Sequence, residues 1–156
     1  MTLYMILKVA HIIGATVLLG TGAGIAFFML MAHRTGDARL IAHTAGIVVI
    51  ADTIFTATAV VVQPLTGAAL ANLGGYSLFA GWVGLSLIFY AVIGAFWLPV
   101  VWMQLRMRDL ARAAAAADAP LPLAYYRLWR LWVAFGFPAF AMVIAIIWLM
   151  VAKPTF

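Results

Sequence analysis

The chain has 156 residues, of which 68% are hydrophobic and only 8% are charged, and its mean hydropathy is +1.17. A soluble domain of this composition would expose large apolar patches, so the sequence predicts an integral membrane protein. The net charge of +5 comes from basic residues that flank apolar segments, which excludes an independent nucleic-acid-binding face. The absence of cysteine excludes disulfides, thiolate catalysis and cysteine-ligated iron–sulfur clusters or haem.

Four apolar segments are each long enough to cross a hydrocarbon core of about 30 Å, which takes roughly 20 helical residues. Their predicted bounds are about 3–31, 41–71, 78–105 and 128–151. The first segment lacks the basic region and the cleavage site of a signal peptide, so we expect it to remain as the first helix. The predicted fold is therefore all-α, with residues 1–156 forming a single four-helix transmembrane domain.

The arginines predict how this bundle is oriented. Arg34 and Arg39 lie between the first and second helices, five arginines lie between the third and fourth, and none lies between the second and third. By the positive-inside bias, the first and third connections are cytoplasmic and both termini are outside. The stretch "ARAAAAADAPLPL" predicts that the third helix continues past the membrane as a cytoplasmic extension and stops at Pro120 and Pro122.

Prolines and tryptophans inside the apolar segments have structural interpretations. Pro64, Pro99 and Pro138 fall within the second, third and fourth predicted helices. Each frees a backbone carbonyl that must find a donor inside the bundle. Most tryptophans lie near helix ends and are typical of the aromatic belts at membrane interfaces. The six tryptophans of the chain are Trp82, Trp97, Trp102, Trp129, Trp132 and Trp148.

His11 in the first helix and Asp52 in the second are the two ionisable residues well inside the predicted spans. Such residues are costly in a membrane and usually face the bundle interior, so each marks a candidate site. His11 lies roughly 12 Å from the outer end of its helix and shares its face with Gly14 and Gly22. Two interpretations remain open. The glycines admit a neighbouring helix, or they make room for a flat ligand such as haem b whose iron His11 binds.

A candidate pocket follows from the depths of the polar side chains. The second helix carries a polar stripe at helical spacing, formed by Asp52, Thr56, Gln63 and Thr66. The third helix brings Ser86 and Tyr90 to about the depth of His11. The predicted cofactor-binding residues are therefore His11, Gly14, Gly22, Gln63, Thr66, Ser86 and Tyr90, with His11 as the metal ligand. His33 and His43 lie near the cytoplasmic ends and are interpreted as interfacial residues.

Asp52 also has two interpretations. An ion pair with Arg106, Arg127 or Arg130 would fix how the helices pack, since these arginines can extend towards it. Alternatively, Asp52 would relay protons along the polar stripe.

Several segments resemble a family of small bacterial membrane proteins catalogued as domain of unknown function 2269. They are "YMILKVAHIIGATVLLGTGAGIAFFMLMAHRTGD", "ADTIFTATAVVVQPLTG", "FWLPVVWMQLRMRDLA" and "FPAFAMVIAIIWLMVAKP". This resemblance covers nearly the whole chain. It implies a multi-pass protein of the bacterial inner membrane and carries no activity by itself.

The chain also resembles, more distantly, HemJ-type protoporphyrinogen oxidase, a four-helix haem b protein of similar size. "KVAHII" at Lys8 to Ile13 is similar to its first helix, and the run from Pro138 to Pro154 is similar to its last. The resemblance implies that His11 binds haem. Ser86 stands where that family has a functional lysine. This chain therefore lacks the lysine that the resemblance associates with oxidation of protoporphyrinogen. The CopD-type membrane domain is similar too, but no run of methionines or histidines suits copper.

The sequence thus predicts a haem b-binding integral membrane protein that works in electron transfer or as a HemJ-like oxidoreductase. The alternative is a cofactor-free ion or proton transport protein, or an accessory subunit of a membrane complex. Small-residue helix faces predict a homo-oligomer in the lipid bilayer.

Overall fold

The structure is a computed structural model, and it describes residues 2–155. Its four long helices span Leu3–Thr35, Ala38–Leu73, Gly81–Ala116 and Leu123–Ala152. All four are long and apolar enough to cross a membrane, and the described residues form no strand. The predicted all-α fold with four membrane-spanning helices is therefore confirmed.

The helices are longer than predicted at the end of the bundle that carries Arg34, Arg39, Arg106 and Arg127, which we call the arginine-rich end. There the first helix ends at Thr35, four residues later than predicted. The predicted bounds followed hydropathy, which falls at the membrane surface, whereas helical hydrogen bonds continue into water. The third helix likewise runs to Ala116, 11 residues beyond the predicted 105, which confirms the helical extension.

The connection between the first two helices consequently shrinks to a tight turn. Gly36 has a φ of 67°, a left-handed conformation that favours glycine at a helix end. The carboxylate of Asp37 accepts hydrogen bonds from the backbone N–H groups of Arg39 at 2.7 Å and Leu40 at 3.3 Å. Asp37 thereby caps the second helix, which continues the chain back towards the membrane.

The apolar core is concentrated in the half of the bundle nearest the arginine-rich end. Its largest fully buried side chains are Met29, Ile41, Met107 and Tyr125, which come from all four helices. Here the second helix packs along both the first and the third, and the third packs along the fourth. This half therefore holds the four helices together.

The opposite half is built from smaller and more polar side chains. Its buried residues are Gly14, Ala59, Thr66, Ala71, Val83, Ser86 and Leu149. Beyond Thr56, the second helix keeps the first as its main neighbour, while the third and fourth helices keep each other. The bundle therefore divides towards this end into two helix pairs.

An aromatic cluster ties the first helix to the fourth at the arginine-rich end. The His33 ring stacks on Trp129 with centroids 4.0 Å apart. Its Nδ1 lies 3.2 Å from the hydroxyl of Tyr125. His33 is thus a packing residue, and His43 lies exposed on the second helix.

Pro64 frees a carbonyl in the second helix, and the structure provides its donor. A helical residue at position 64 would normally donate its N–H to the carbonyl of Val60, but proline has no N–H. The hydroxyl of Tyr90, on the third helix, donates to that carbonyl at 2.5 Å. The expectation that this carbonyl finds a partner inside the bundle is met, and the bond links the two helix pairs.

Gly84, in the first turn of the third helix, allows a close approach of the preceding loop. A β-carbon there would lie 2.9 Å from the carbonyl carbon of Phe79. We expect Gly84→Ala to lower the free energy of unfolding by roughly 1 kcal/mol, because backbone has to shift. Gly94→Ala is the matched control, since a β-carbon at Gly94 meets nothing within 4 Å.

Both variants can be compared by reversible denaturation in detergent, followed by circular dichroism. Gly94→Ala should be neutral or stabilising by up to about 1 kcal/mol, since alanine favours helix. Equal stability of the two variants would contradict the close approach.

Candidate functional site

His11 lies half-buried between the first and second helices, in the half with small and polar side chains. Its Nδ1 lies 2.9 Å from the hydroxyl oxygen of Thr66. Thr66 is itself 9% exposed, and its hydroxyl lies 2.8 Å from the carbonyl oxygen of Val62. The pairing expected from the depths of His11 and Thr66 is present.

The partners of Thr66 assign the tautomer of His11. A threonine hydroxyl has one proton, which Thr66 donates to the carbonyl of Val62. With that proton on the carbonyl of Val62, we assign the donor role in the 2.9 Å bond to Nδ1 of His11, an assignment inferred from the positions of the heavy atoms. The Nε2 atom of the neutral ring carries an unprotonated lone pair, the state in which imidazole binds metals.

Two glycines bring the first and second helices together around the imidazole. A β-carbon at Gly67 would lie 3.0 Å from the Cε1 atom of His11, so the ring rests on the backbone there. A β-carbon at Gly14 would overlap the side-chain oxygen of Gln63. This oxygen is buried and has no hydrogen-bond partner among the described residues 2–155. The space beside Gly14 is thus occupied by the side chain of Gln63.

The remaining predicted site residues do not contact His11. Ser86 is buried and donates to the carbonyl of Trp82 in its own helix at 2.7 Å. The hydroxyl of Tyr90 donates its hydrogen bond to the carbonyl of Val60. A β-carbon at Gly22 would meet nothing within 4 Å, so this glycine lies on an open face. The predicted set is thus divided between the two helix pairs.

Asp52 lies deeper in the second helix, where the helix changes its hydrogen bonding. Residues Asp52–Thr56 form a π-helical turn, in which the N–H of Ala57 reaches the carbonyl of Asp52. The carboxylate is 5% exposed and accepts from Nε1 of Trp97 at 3.2 and 3.3 Å. π-Turns occur frequently at functional sites.

The expected ion pair of Asp52 is not formed. Within the described residues, the ion pairs are Arg39 with Asp118 and Arg108 with Asp109. None of the predicted partners Arg106, Arg127 and Arg130 takes part in an ion pair within residues 2–155. Trp97, which lies near the middle of the helix Gly81–Ala116, is the donor that this buried carboxylate has instead.

Sequence reasoning missed Gly67 and Trp97 as parts of the two sites. Gly67 directly follows the predicted site residue Thr66, and a glycine at that position could have indicated a close approach of the His11 ring. The pairing of Trp97 with Asp52 joins residues 45 apart on different helices, and no local pattern indicates it.

The donor set at His11 is a single imidazole. No group of three or more His, Cys, Asp or Glu side chains within residues 2–155 is placed to hold a metal. A porphyrin supplies four nitrogen ligands itself and needs one axial side chain, for which imidazole is common. His11 offers such a ligand through Nε2, and the divided helix pairs beside it carry few bulky buried side chains.

The fold and the buried polar groups define a four-helix integral membrane protein with titratable residues in its interior. A family model matches residues 5–154, and its description is a predicted integral membrane protein, DUF2269. Because the match spans nearly the entire chain, this protein belongs to the DUF2269 family. No curated protein and no solved structure matches the chain.

Proposed function

We propose that this protein binds haem b through His11 and works in electron transfer or as a membrane oxidoreductase. The observation that supports this proposal best is the 2.9 Å pairing of Nδ1 of His11 with the hydroxyl of Thr66, because with Nδ1 so engaged Nε2 would be the nitrogen free to bind iron. The resemblance of "KVAHII" to the first helix of HemJ-type proteins supports the same role.

When bound, haem supplies one-electron redox chemistry at its iron. The chain contributes the orientation of the ligand, because Thr66 holds the imidazole by one nitrogen and Gly67 fixes the ring from one side. The hydrogen bond to Nδ1 also makes Nε2 more basic, which favours binding to iron.

The absorption spectrum of the purified protein tests this proposal. Expression in haem-replete cells and purification in mild detergent should yield a Soret band and a pyridine haemochrome typical of haem b. A colourless preparation from such cells, even after addition of haemin, would exclude haem binding.

A second candidate function rests on Asp52, which is buried without a cationic partner among the described residues. An unpaired carboxylate inside a membrane protein is costly and typical of proton or cation pathways. The hydroxyl of Thr56, one turn further along the helix, is buried close to this carboxylate. Together with Gln63 and Thr66, these residues would line a proton path along the second helix.

Asp52→Asn tests this second candidate. The amide keeps the size of the side chain and cannot carry a proton, so proton flux into proteoliposomes should fall about tenfold. Asp109→Asn is the matched control, because it removes an acidic group at the surface. Normal flux in Asp52→Asn, measured with a trapped pH-sensitive dye, would leave Asp52 a structural role only.

We also propose that the open glycine face of the first helix packs against another membrane helix, in a homo-oligomer or a larger membrane complex. β-Carbons at Gly20 and Gly24, which lie one turn apart on the same side of the helix, would meet nothing within 4 Å, so the described residues 2–155 leave this face uncovered. A groove of about 420 Å³ adjoins it, with Gly24 and Phe28 on one wall and Phe55 on the other. Glycine faces allow close helix contacts in membranes.

A further inference from the structure

A second groove lies between the third and fourth helices at the arginine-rich end, away from His11 and Asp52. Its volume is about 360 Å³. The main lining residues are Trp102, Arg106, Leu110, Leu123, Arg127 and Leu128. Arg106 and Arg127 lie at the ends of the apolar segments of their helices, so the groove sits where these helices leave the membrane.

The two arginines of the groove are not neutralised within the described part of the chain. The ion pairs there join Arg39 to Asp118 and Arg108 to Asp109. Asp109, three residues after Arg106, is thus bound to Arg108 at 2.8 Å. Two guanidinium groups from different helices therefore meet in one groove without a carboxylate partner.

The first turn of the fourth helix adds positive potential to the same groove. This helix begins at Leu123, and no side chain caps its first turn. The unpaired N–H groups at a helix start carry a partial positive charge and attract anions. Leu123 and its neighbour Ala124 both line the groove.

We propose that this groove binds an anionic phospholipid of the adjacent membrane leaflet. The phosphate of the headgroup lies between Arg106 and Arg127, and an acyl chain runs along Trp102, whose side chain is 56% exposed. A lipid explains the apolar walls of the groove as well as its charge, whereas a free phosphate would leave these walls in water. Basic pockets between membrane helices at the cytoplasmic face bind such headgroups.

Native mass spectrometry of the full-length protein in mild detergent tests this proposal. The protein should retain phosphatidylglycerol and retain phosphatidylcholine weakly. The variant Arg106→Gln/Arg127→Gln should bind phosphatidylglycerol about tenfold more weakly. The control variant Arg34→Gln/Arg130→Gln loses the same charge outside the groove and should bind like the unmodified protein.

Three results would overturn the proposal. One is equal retention of the two lipids by the unmodified protein. This comparison does not depend on whether any variant folds. Another is an equal loss in both double variants, which would indicate attraction by net charge alone. The third is displacement of phosphatidylglycerol by excess inorganic phosphate, which would indicate a site for a free anion. Unchanged helical content by circular dichroism confirms that each variant is folded. If Arg106→Gln/Arg127→Gln does not fold, the single variant Arg127→Gln replaces it in the comparison.

Discussion

His11→Ala is expected to abolish the Soret band while the protein remains folded and in the membrane. The substitution removes the side chain that offers an iron ligand, and no other imidazole lies in that half of the bundle, since His33 and His43 are at the arginine-rich end. His43→Ala is the matched control, because it removes an exposed imidazole and should leave the spectrum unchanged.

Rescue separates loss of the ligand from loss of the fold. Free imidazole added to His11→Gly should restore part of the Soret absorption, because it can occupy the space of the missing ring. Thr66→Val should retain haem with lower affinity, since the ring keeps its nitrogen but loses its hydrogen bond. An unchanged spectrum in His11→Ala would disprove axial ligation by His11, whichever residue then holds the cofactor.

Tyr90→Phe is expected to destabilise the protein by roughly 2 kcal/mol, because it leaves the carbonyl of Val60 without a donor in the membrane interior. The hydroxyl supplies the hydrogen bond that Pro64 cannot. Tyr126→Phe is the matched control, since Tyr126 is 41% exposed. The free energy of unfolding can be measured in mixed micelles by titration with a denaturing detergent.

A double-mutant cycle identifies the cause of this loss. Alanine at position 64 restores a backbone N–H, which can reach the carbonyl of Val60 as in an ordinary helix. In the Pro64→Ala background, Tyr90→Phe should therefore cost less than about 0.5 kcal/mol, and the difference is the coupling energy. The same loss in both backgrounds would show that Tyr90 stabilises the bundle through packing alone.

The sequence allowed prediction of the four helices because their signal is local. Each span is a long apolar run, and the helical extension of the third helix follows from its alanine stretch ending before Pro120. The need for a donor near Pro64 was also predictable, because proline always lacks an N–H. That Tyr90 supplies this donor depends on how two helices pack, and no local pattern carries that information.

The candidate site was predictable to the same extent. Depth along helices correctly brought His11 to the level of Thr66, since the rise per residue is fixed. Rotation about the helix axis and the distance between helices are not fixed by sequence spacing, so Ser86 was placed in the pocket although it bonds within its own helix. The π-turn at Asp52 shifts the register of the helix and has no composition signal of its own.

The uneven packing of the bundle has a mechanical consequence. Large apolar side chains join the four helices at the arginine-rich end, whereas the opposite halves of the two helix pairs share few close contacts. The half with small and polar side chains should therefore open locally more readily than the arginine-rich end, because local stability follows the density of buried apolar contacts, and the bond from Tyr90 to Val60 is the contact that such opening must break.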